Sequence, residues 1–258
     1  MNASLGALAA WLICNVSEGS AAPSPQTLLG TWDVVHVAVD KQDTIHQTYI
    51  EDDPELMVGS LVVDSESTHL NVGKLGCRQA PRPIHFTTWR DLFARAFPRP
   101  PGGGRSPVAT PKDFGIDVPE AGKTTAFTLC ASPSERFPKG AWAVLKERDL
   151  MLLRADPQVL FLLRRRVDRA TPVTSFDCRL VADATASTIC DSFELAAWDR
   201  SVALALAQAT RMFPEKAAAL NASQARWLRD LKSCGKDASC IAPRLKSRVA
   251  DLVWERKT

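Results

Sequence analysis

Cysteine is the residue type in this sequence whose chemistry is most tightly constrained. The chain has seven cysteines, and the first of them, Cys14, lies in an apolar leader. The six others form no Cys-x-x-Cys pair and have no histidine at zinc-finger spacing, because all four histidines lie in the first half of the chain. Disulfides are therefore favoured over a metal site, as in proteins of oxidising compartments. These six are Cys77, Cys130, Cys178, Cys190, Cys234 and Cys240.

The other reactive residues form no recognisable catalytic set. Six residues separate Gly115 from the Gly-Lys-Thr of residues 122–124, where a phosphate-binding loop requires four. There is no serine-nucleophile elbow, and oxidised cysteines offer no thiolate. His36, His46 and His69 could share a metal, but histidines on strands are more often exposed or hydrogen-bonded than ligands. We therefore expect no enzyme, no metal and no cofactor.

The start of the chain has the pattern of a secretory signal peptide. An apolar run from Leu5 to Val16 is too short for a membrane span of about 20 residues, and small residues follow it up to Ala22. This pattern predicts a signal peptide over residues 1–22 and a periplasmic or secreted protein. Cys14 allows a lipid anchor as the alternative, although the residues before it are not the small ones that usually precede a lipid-modified cysteine.

The composition predicts a folded protein that does not bind nucleic acid. Apolar residues make up 45% and charged residues 24% of the 258 residues, which is sufficient for a core and suits two domains. The net charge of +3 is small, and no long stripe of lysine and arginine is interleaved with aromatic residues.

Residues 27–167 have the pattern of an antiparallel β domain. Three closely spaced apolar runs separated by polar breaks, at 141–145, 150–153 and 159–163, predict a meander. Helical spacing predicts a short amphipathic helix from Trp89 to Phe97. We interpret the proline- and glycine-rich stretch after it, from Pro98 to Pro111, as a surface insertion or, alternatively, as a lid over a cavity.

Residues 168–174 are interpreted as a linker to a helical domain at 175–257. The arginines at its start, Arg164 to Arg166 and Arg169, are interpreted as a solvated group or, alternatively, as a contact to anionic lipid or peptidoglycan. Helical periodicity predicts three helices, from Phe193 to Phe213, from Glu215 to Cys234 and from Ala238 to Trp254. The last one tolerates Pro243 only in or before its first turn.

Two parts of the chain resemble known families. Gly30-Thr31-Trp32 before a valine-rich strand is similar to the opening of lipocalin-like barrels, which makes the β domain a lipocalin-like barrel or a sandwich, and the whole fold α+β. The last third resembles the LprI-like lysozyme-inhibitor domain. The matching pieces are Ser175 to Cys178, Ile189-Cys190, Phe193 to Arg200, Gln224 to Leu228, Cys234 and Cys240-Ile241; Trp198, Leu231 and Pro243 depart from the pattern.

The disulfide pairing remains a choice at this stage. Four cysteines allow three pairings in the helical domain, and we expect Cys178 with Cys190 and Cys234 with Cys240, because each pair closes a short loop. Cys77 and Cys130 would then pair across the β domain if their Cα atoms lie within about 7 Å.

The resemblance also implies the roles of several helical residues. Asp199 lies near an apolar stripe and needs a cationic partner, for which we expect Arg226 or Arg248 because Leu231 occupies a position that commonly carries arginine. A partner-binding surface would comprise Asp191, Glu194 and Trp198.

Two functions follow as hypotheses. The first is an exported, non-enzymatic binding protein that inhibits a lysozyme or another peptidoglycan-cleaving enzyme. The alternative is a periplasmic carrier that holds a small apolar ligand in the β domain.

Overall fold

The computed structural model describes residues 24–43, 48–99, 108–130, 137 and 140–257. The expected signal peptide at 1–22, Cys14, His46 and residues 100–107 of the proline-rich loop lie outside the described residues. The described chain forms a β lobe followed by a helical lobe, and this confirms the predicted α+β class.

Nine strands form one antiparallel sheet in the described part of the chain. They are β1 (Gly30–Val39), β2 (Ser60–Val63), β3 (Thr68–Leu70), β4 (Leu75–Cys77), β5 (Arg82–Thr88), β6 (Lys123–Thr128), β7 (Trp142–Glu147), β8 (Leu150–Arg154) and β9 (Val159–Arg165). The strand order is β4-β3-β2-β1-β9-β8-β7-β6-β5, and the sheet curls into a half-barrel with β4 and β5 as its edges. The predicted meander corresponds to β7, β8 and β9.

Both faces of the sheet are buried over its central strands. Because successive residues of a strand point to opposite faces, Leu160 and Phe161 of β9 enter two separate cores. Leu152 and Leu153 of β8 divide between the same two cores. The core on the Phe161 face contains the fully buried Trp32 and reaches from β6 to β4.

The second core is closed by α1 (Trp89–Ala96), the amphipathic helix that the sequence predicts. The side chain of Thr88 caps it by accepting a backbone amide of the first turn at 3.1 Å. Phe93 of this helix lies against Phe114 and Trp142, with ring centroids 5.5 and 6.0 Å away. The helix therefore fills the face of the sheet that is opposite Trp32.

A buried cluster of charged side chains holds the two ends of the proline-rich loop. Arg99 Nη2 lies 2.7 Å from Asp40 Oδ1 and 2.9 Å from Asp113 Oδ2, and these side chains are at most 16% exposed. The same guanidinium donates to the Val108 carbonyl at 3.3 Å. Residues 99 and 108 are thus fixed on the β lobe.

The helical lobe contains four α-helices among the described residues: α2 (Ala184–Cys190), α3 (Phe193–Met212), α4 (Ala217–Leu231) and α5 (Ala238–Lys257). The last three confirm the prediction, whereas α2 was missed because seven residues are too few to display a helical stripe. None of the described helices is both long and apolar enough to cross a membrane.

Pro243 corrects one expectation about α5. It is the sixth residue of the helix and so lies beyond the first turn, where we had confined it. The first turn is held from outside, because Asp237 Oδ1 accepts the Ser239 amide at 2.9 Å and the Cys234–Cys240 bridge anchors its start. These contacts offset the one backbone hydrogen bond that proline removes.

Helix α3 joins the two lobes through the loop after β1. Ser201, which is 1% exposed, donates its hydroxyl to the Pro54 carbonyl. Gln208 Nε2 donates to the Asp52 carbonyl at 3.0 Å. One face of α3 therefore contacts the β lobe while another packs in the helical core.

Arg165 and Arg166 at the end of β9 pack against aromatic rings, which corrects our preferred interpretation of the arginine run, whereas Arg164 and Arg169 are exposed as that interpretation expects. The Arg165 guanidinium lies 4.0 Å from the centre of the Trp32 ring. Arg166 pairs with Asp33 and stacks 3.9 Å from the ring of Phe193, the first residue of α3. Arg166 therefore links the sheet to the helical lobe.

All three expected disulfides are formed. Cys77–Cys130, Cys178–Cys190 and Cys234–Cys240 have Cα separations of 6.0, 5.9 and 5.6 Å. The first bridge ties the β4 edge to the chain just after β6, and the other two lie at helix ends of the helical lobe.

Loop length predicts how much each bridge stabilises the protein. Replacing Cys77 and Cys130 by alanine should cost about 4 kcal/mol, and replacing Cys234 and Cys240 only about 2 kcal/mol, because the first bridge closes the longer loop of the unfolded chain. Urea unfolding followed by tryptophan fluorescence measures both values. Equal losses, or a larger loss for the shorter loop, would contradict the loop-entropy explanation.

Candidate protein-binding surface

The corner between α2 and α3 is built by short-range capping and one disulfide. Cys190, which forms a disulfide with Cys178, is the last residue of α2. Asp191 is the C-terminal cap residue of α2, and Ser192 is the N-terminal cap residue of α3. The Ser192 hydroxyl accepts the Leu195 amide at 3.3 Å, as expected of an N-terminal cap. The direction of α3 is thus fixed at the point where the predicted partner-binding residues lie.

Glu194 and Trp198 lie one turn apart on α3, and α5 brings a third side chain to them. Lys246 Nζ is 3.0 Å from Glu194 Oε1 and 5.4 Å from the centre of the Trp198 ring. Trp198 is half-buried against the helical core. We call Asp191, Glu194, Trp198 and Lys246 the Trp198 surface.

Lys246 is the member of this surface that sequence reasoning missed. Its position on α5, between the buried Leu245 and Val249, predicts only a polar residue on an amphipathic helix. The approach to Glu194 depends on how α3 and α5 pack, which local spacing does not reveal. The signal available in the sequence was the opposite charge of Glu194 and Lys246 on two of the predicted helices.

The ion pair in this surface is weak and can be exchanged. The side chains of Glu194 and Lys246 are 60% and 47% exposed. An exposed pair of this kind contributes about 0–1 kcal/mol. A partner that offers its own charged group to either side chain therefore displaces little stability.

Asp199 makes a hydrogen bond that the sequence did not predict. Its Oδ2 accepts the Ser175 amide at 2.6 Å, and the charge of Arg200 acts on it. Arg248 donates to Gln224 Oε1 at 2.8 Å, and the pairing of Asp199 with Arg226 or Arg248 stays a prediction. The carboxylate thus fastens the start of the helical lobe to α3 through a backbone hydrogen bond.

Burial and this hydrogen bond act on Asp199 in opposite directions. Burial raises the pKa of the Asp199 carboxyl above its ordinary value, whereas the Ser175 hydrogen bond and the charge of Arg200 lower it to a smaller extent. Arg200, in turn, donates to the Val173 carbonyl. Asp199 and Arg200 therefore position the linker and are not free to act on a ligand.

The two described histidines of the predicted set, His36 and His69, do not come together, and His46 lies outside the described residues. His36 lies beyond an irregularity in β1, with Nδ1 2.7 Å from Asp52 Oδ1, and His69 is exposed on β3, which the sheet separates from β1 by one strand. Within the described ranges, no group of three histidine, cysteine, aspartate or glutamate side chains could hold a metal ion.

The β lobe offers a polar cleft and a filled core. The core that contains Trp32 is occupied by large side chains such as Phe127, Met151 and Phe161, each at most 2% exposed. A cleft of about 690 Å³ lies instead between the β2–β3 turn and the β4–β5 connection. Its lining consists of Asp64, Glu66, Ser67, Arg78, Gln79, Ala80 and Arg82.

Comparison of the chain with family models, with curated proteins and with solved structures found no match.

The raised pKa of Asp199 predicts a pH-dependent effect of Asp199→Asn. A folded-state pKa above the unfolded one means that the ionised carboxylate is less favourable in the folded protein, so its replacement stabilises at neutral pH. The gain should disappear as the pH falls below the unfolded-state pKa of about 3.9. Urea unfolding at pH 7 and at pH 3.5 measures it.

Asp199→Ala is the control, because alanine leaves the Ser175 amide without its acceptor. It should be about 1 kcal/mol less stable than Asp199→Asn at both pH values. Equal stability of the two variants would show that the hydrogen bond contributes nothing.

Proposed function

We propose that this chain is an exported, non-enzymatic binding protein whose helical lobe contacts a protein, and that the partner is a lysozyme or another peptidoglycan-cleaving enzyme. The observation that carries the proposal is the Trp198 surface, in which an aromatic side chain is flanked by exposed charges on a rigid corner. Buried aromatic anchors with a polar rim dominate the energetics of protein interfaces.

The rigidity of the helical lobe supports a binding role. The Cys178–Cys190 and Cys234–Cys240 bridges fix both ends of the region that presents Trp198. A surface that is ordered before binding loses little conformational entropy when it meets its partner. Three disulfides also suit the oxidising periplasm or extracellular space, which supports export.

The identity of the partner is supported by the resemblance to LprI-like domains. Long-range electrostatic attraction would not contribute to this complex. Many lysozymes are strongly basic, and a chain of net charge +3 is not attracted to them over a distance. The exposed carboxylates of Asp191 and Glu194 would have to act locally. The association rate should therefore depend only weakly on salt concentration.

No observation in the described part of the chain favours the alternative of an apolar carrier. The large side chains of the Trp32 core fill that face of the sheet, and the cleft of about 690 Å³ is lined mainly by polar and charged residues. Binding of a protein by the helical lobe is thus the function that the geometry supports best.

Truncation of Trp198 tests this proposal. Trp198→Ala should weaken binding and inhibition of a sensitive lysozyme by about 30-fold, the loss typical of an interface hot spot. The dissociation constant is measured by calorimetry and the inhibition by the rate of cell-wall hydrolysis, with the purified exported protein.

Trp227→Ala is the matched control, because Trp227 is also half-buried in the helical core and lies under a cation, with the Arg248 guanidinium 5.9 Å from its ring. It should leave affinity unchanged within about twofold. No inhibition by the wild-type protein at micromolar excess, or equal losses for both variants, would overturn the proposal.

A further inference from the structure

The polar cleft of the β lobe carries opposite charges on its two sides. The turn between β2 and β3 contributes Asp64 and Glu66 to one side. The connection from β4 to the first residue of β5 contributes Arg78 and Arg82 to the other side. The remaining lining residues are uncharged, so the charges of the lining cancel. The cleft is thus neutral as a whole but polarised across its width.

Hydrogen bonds inside the β2–β3 turn fix the acidic side. Asp64 Oδ1 accepts the amides of Glu66 and Ser67 at 2.8 and 2.5 Å, and Asp64 Oδ2 accepts the Ser67 hydroxyl at 2.7 Å. The Ser67 hydroxyl and, to a smaller extent, the two amides lower the pKa of the Asp64 carboxyl, so it is ionised at neutral pH. Because both oxygens of Asp64 serve the turn, the exposed carboxylate of Glu66 is the acceptor that this side offers to a ligand.

The backbone of the basic side is fixed at both ends. Thr68 pairs with Cys77 in the sheet, so the β2–β3 turn and the β4–β5 connection lie side by side. At the far end of this connection Arg82 pairs with Thr128 of β6, whose hydroxyl donates to the Arg82 carbonyl at 3.1 Å. The disulfide between Cys77 and Cys130 ties the two ends together. The cleft is therefore formed before a ligand arrives, as small-molecule sites usually are.

Charges arranged in this way favour a ligand that carries both signs. A purely anionic ligand would be repelled by the acidic side, and a purely cationic ligand by the two arginines. A zwitterion can turn its carboxylate towards the arginines, whose planar guanidinium groups bind carboxylates through paired hydrogen bonds. Its ammonium group can then pair with Glu66. The cleft volume of about 690 Å³ lies within the range of small-molecule sites.

We propose that this cleft binds a short peptide with free ends, with Arg78 and Arg82 at the peptide carboxylate and Glu66 at the peptide ammonium. A peptide suits the cleft better than a single amino acid, because its two charges are separated by amide groups. Ser67 and Gln79, the uncharged polar residues of the lining, can form hydrogen bonds with those amides. The site lies in the β lobe and does not depend on the function proposed for the helical lobe.

Trialanine and two blocked forms of it test the proposal on the full exported protein. N-acetyl-trialanine lacks the ammonium group, and trialanine amide lacks the carboxylate. Calorimetry and NMR chemical-shift titration measure the binding. Trialanine should bind with a dissociation constant of about 1 mM or lower. Each blocked form should bind about fivefold more weakly, because it loses one of the two charge pairs.

Two substitutions assign the ends of the peptide to the two sides of the cleft. Glu66→Gln should weaken trialanine about fivefold but leave N-acetyl-trialanine unchanged, because that probe has no ammonium group to lose. Arg82→Gln should weaken trialanine about fivefold but leave trialanine amide unchanged. Glu147→Gln combined with Arg148→Gln is the matched control, since both residues are exposed where β7 turns into β8, and it should affect none of the probes.

Three results would overturn the proposal. The first is an absence of trialanine binding to the wild-type protein at about 10 mM. The second is binding of N-acetyl-trialanine as tight as that of trialanine, which would make the cleft a site for simple anions. The third is an equal loss in the control variant, which would place the peptide elsewhere or make its binding non-specific. All four substituted side chains belong to exposed residues, and circular dichroism with thermal unfolding checks that each variant keeps the fold.

Discussion

The pairing of β1 with β9 is the contact on which the rest of the structure depends. The ladder runs from Trp32 opposite Arg165 to Val39 opposite Val159, and it joins strands β1 to β4 and strands β5 to β9 into one sheet. At its end Arg165 covers the buried Trp32, and the next residue, Arg166, reaches Phe193 at the start of α3. The position of the helical lobe is therefore tied to the register of two strands that are far apart in sequence.

Features with a local pattern could be predicted from the sequence. The runs that became β7, β8 and β9, the stripe of α1 and those of the three long helices each repeat within a short window. The short strands β3 and β4 could not be predicted in the same way, since strands of three residues display almost no alternation. An irregularity in β1 between Val34 and His36 also hides which valines face the same side of the sheet.

The candidate surface was only partly predictable for the same reason. Glu194 and Trp198 share one helix, so their spacing alone places them together. The contacts of Lys246 and of Asp199 depend on packing between separate elements, and the sequence alone offers several possible cationic partners for every carboxylate. Arg166 shows the same limit, because a run of arginines has the same composition whether it is solvated or stacked.

Helix α2 holds the corner that carries the Trp198 surface. It has no clear apolar stripe and is held by tertiary contacts, since Ile189 is buried and Thr185 donates its hydroxyl to the Lys232 carbonyl at 3.3 Å at the end of α4. The disulfide between Cys178 and Cys190 fastens the chain before α2 to the last residue of this helix, next to Asp191 of the Trp198 surface. If this corner binds a protein as we propose, its affinity would come from geometry as much as from any single contact, because a surface that is ordered before binding loses little conformational entropy.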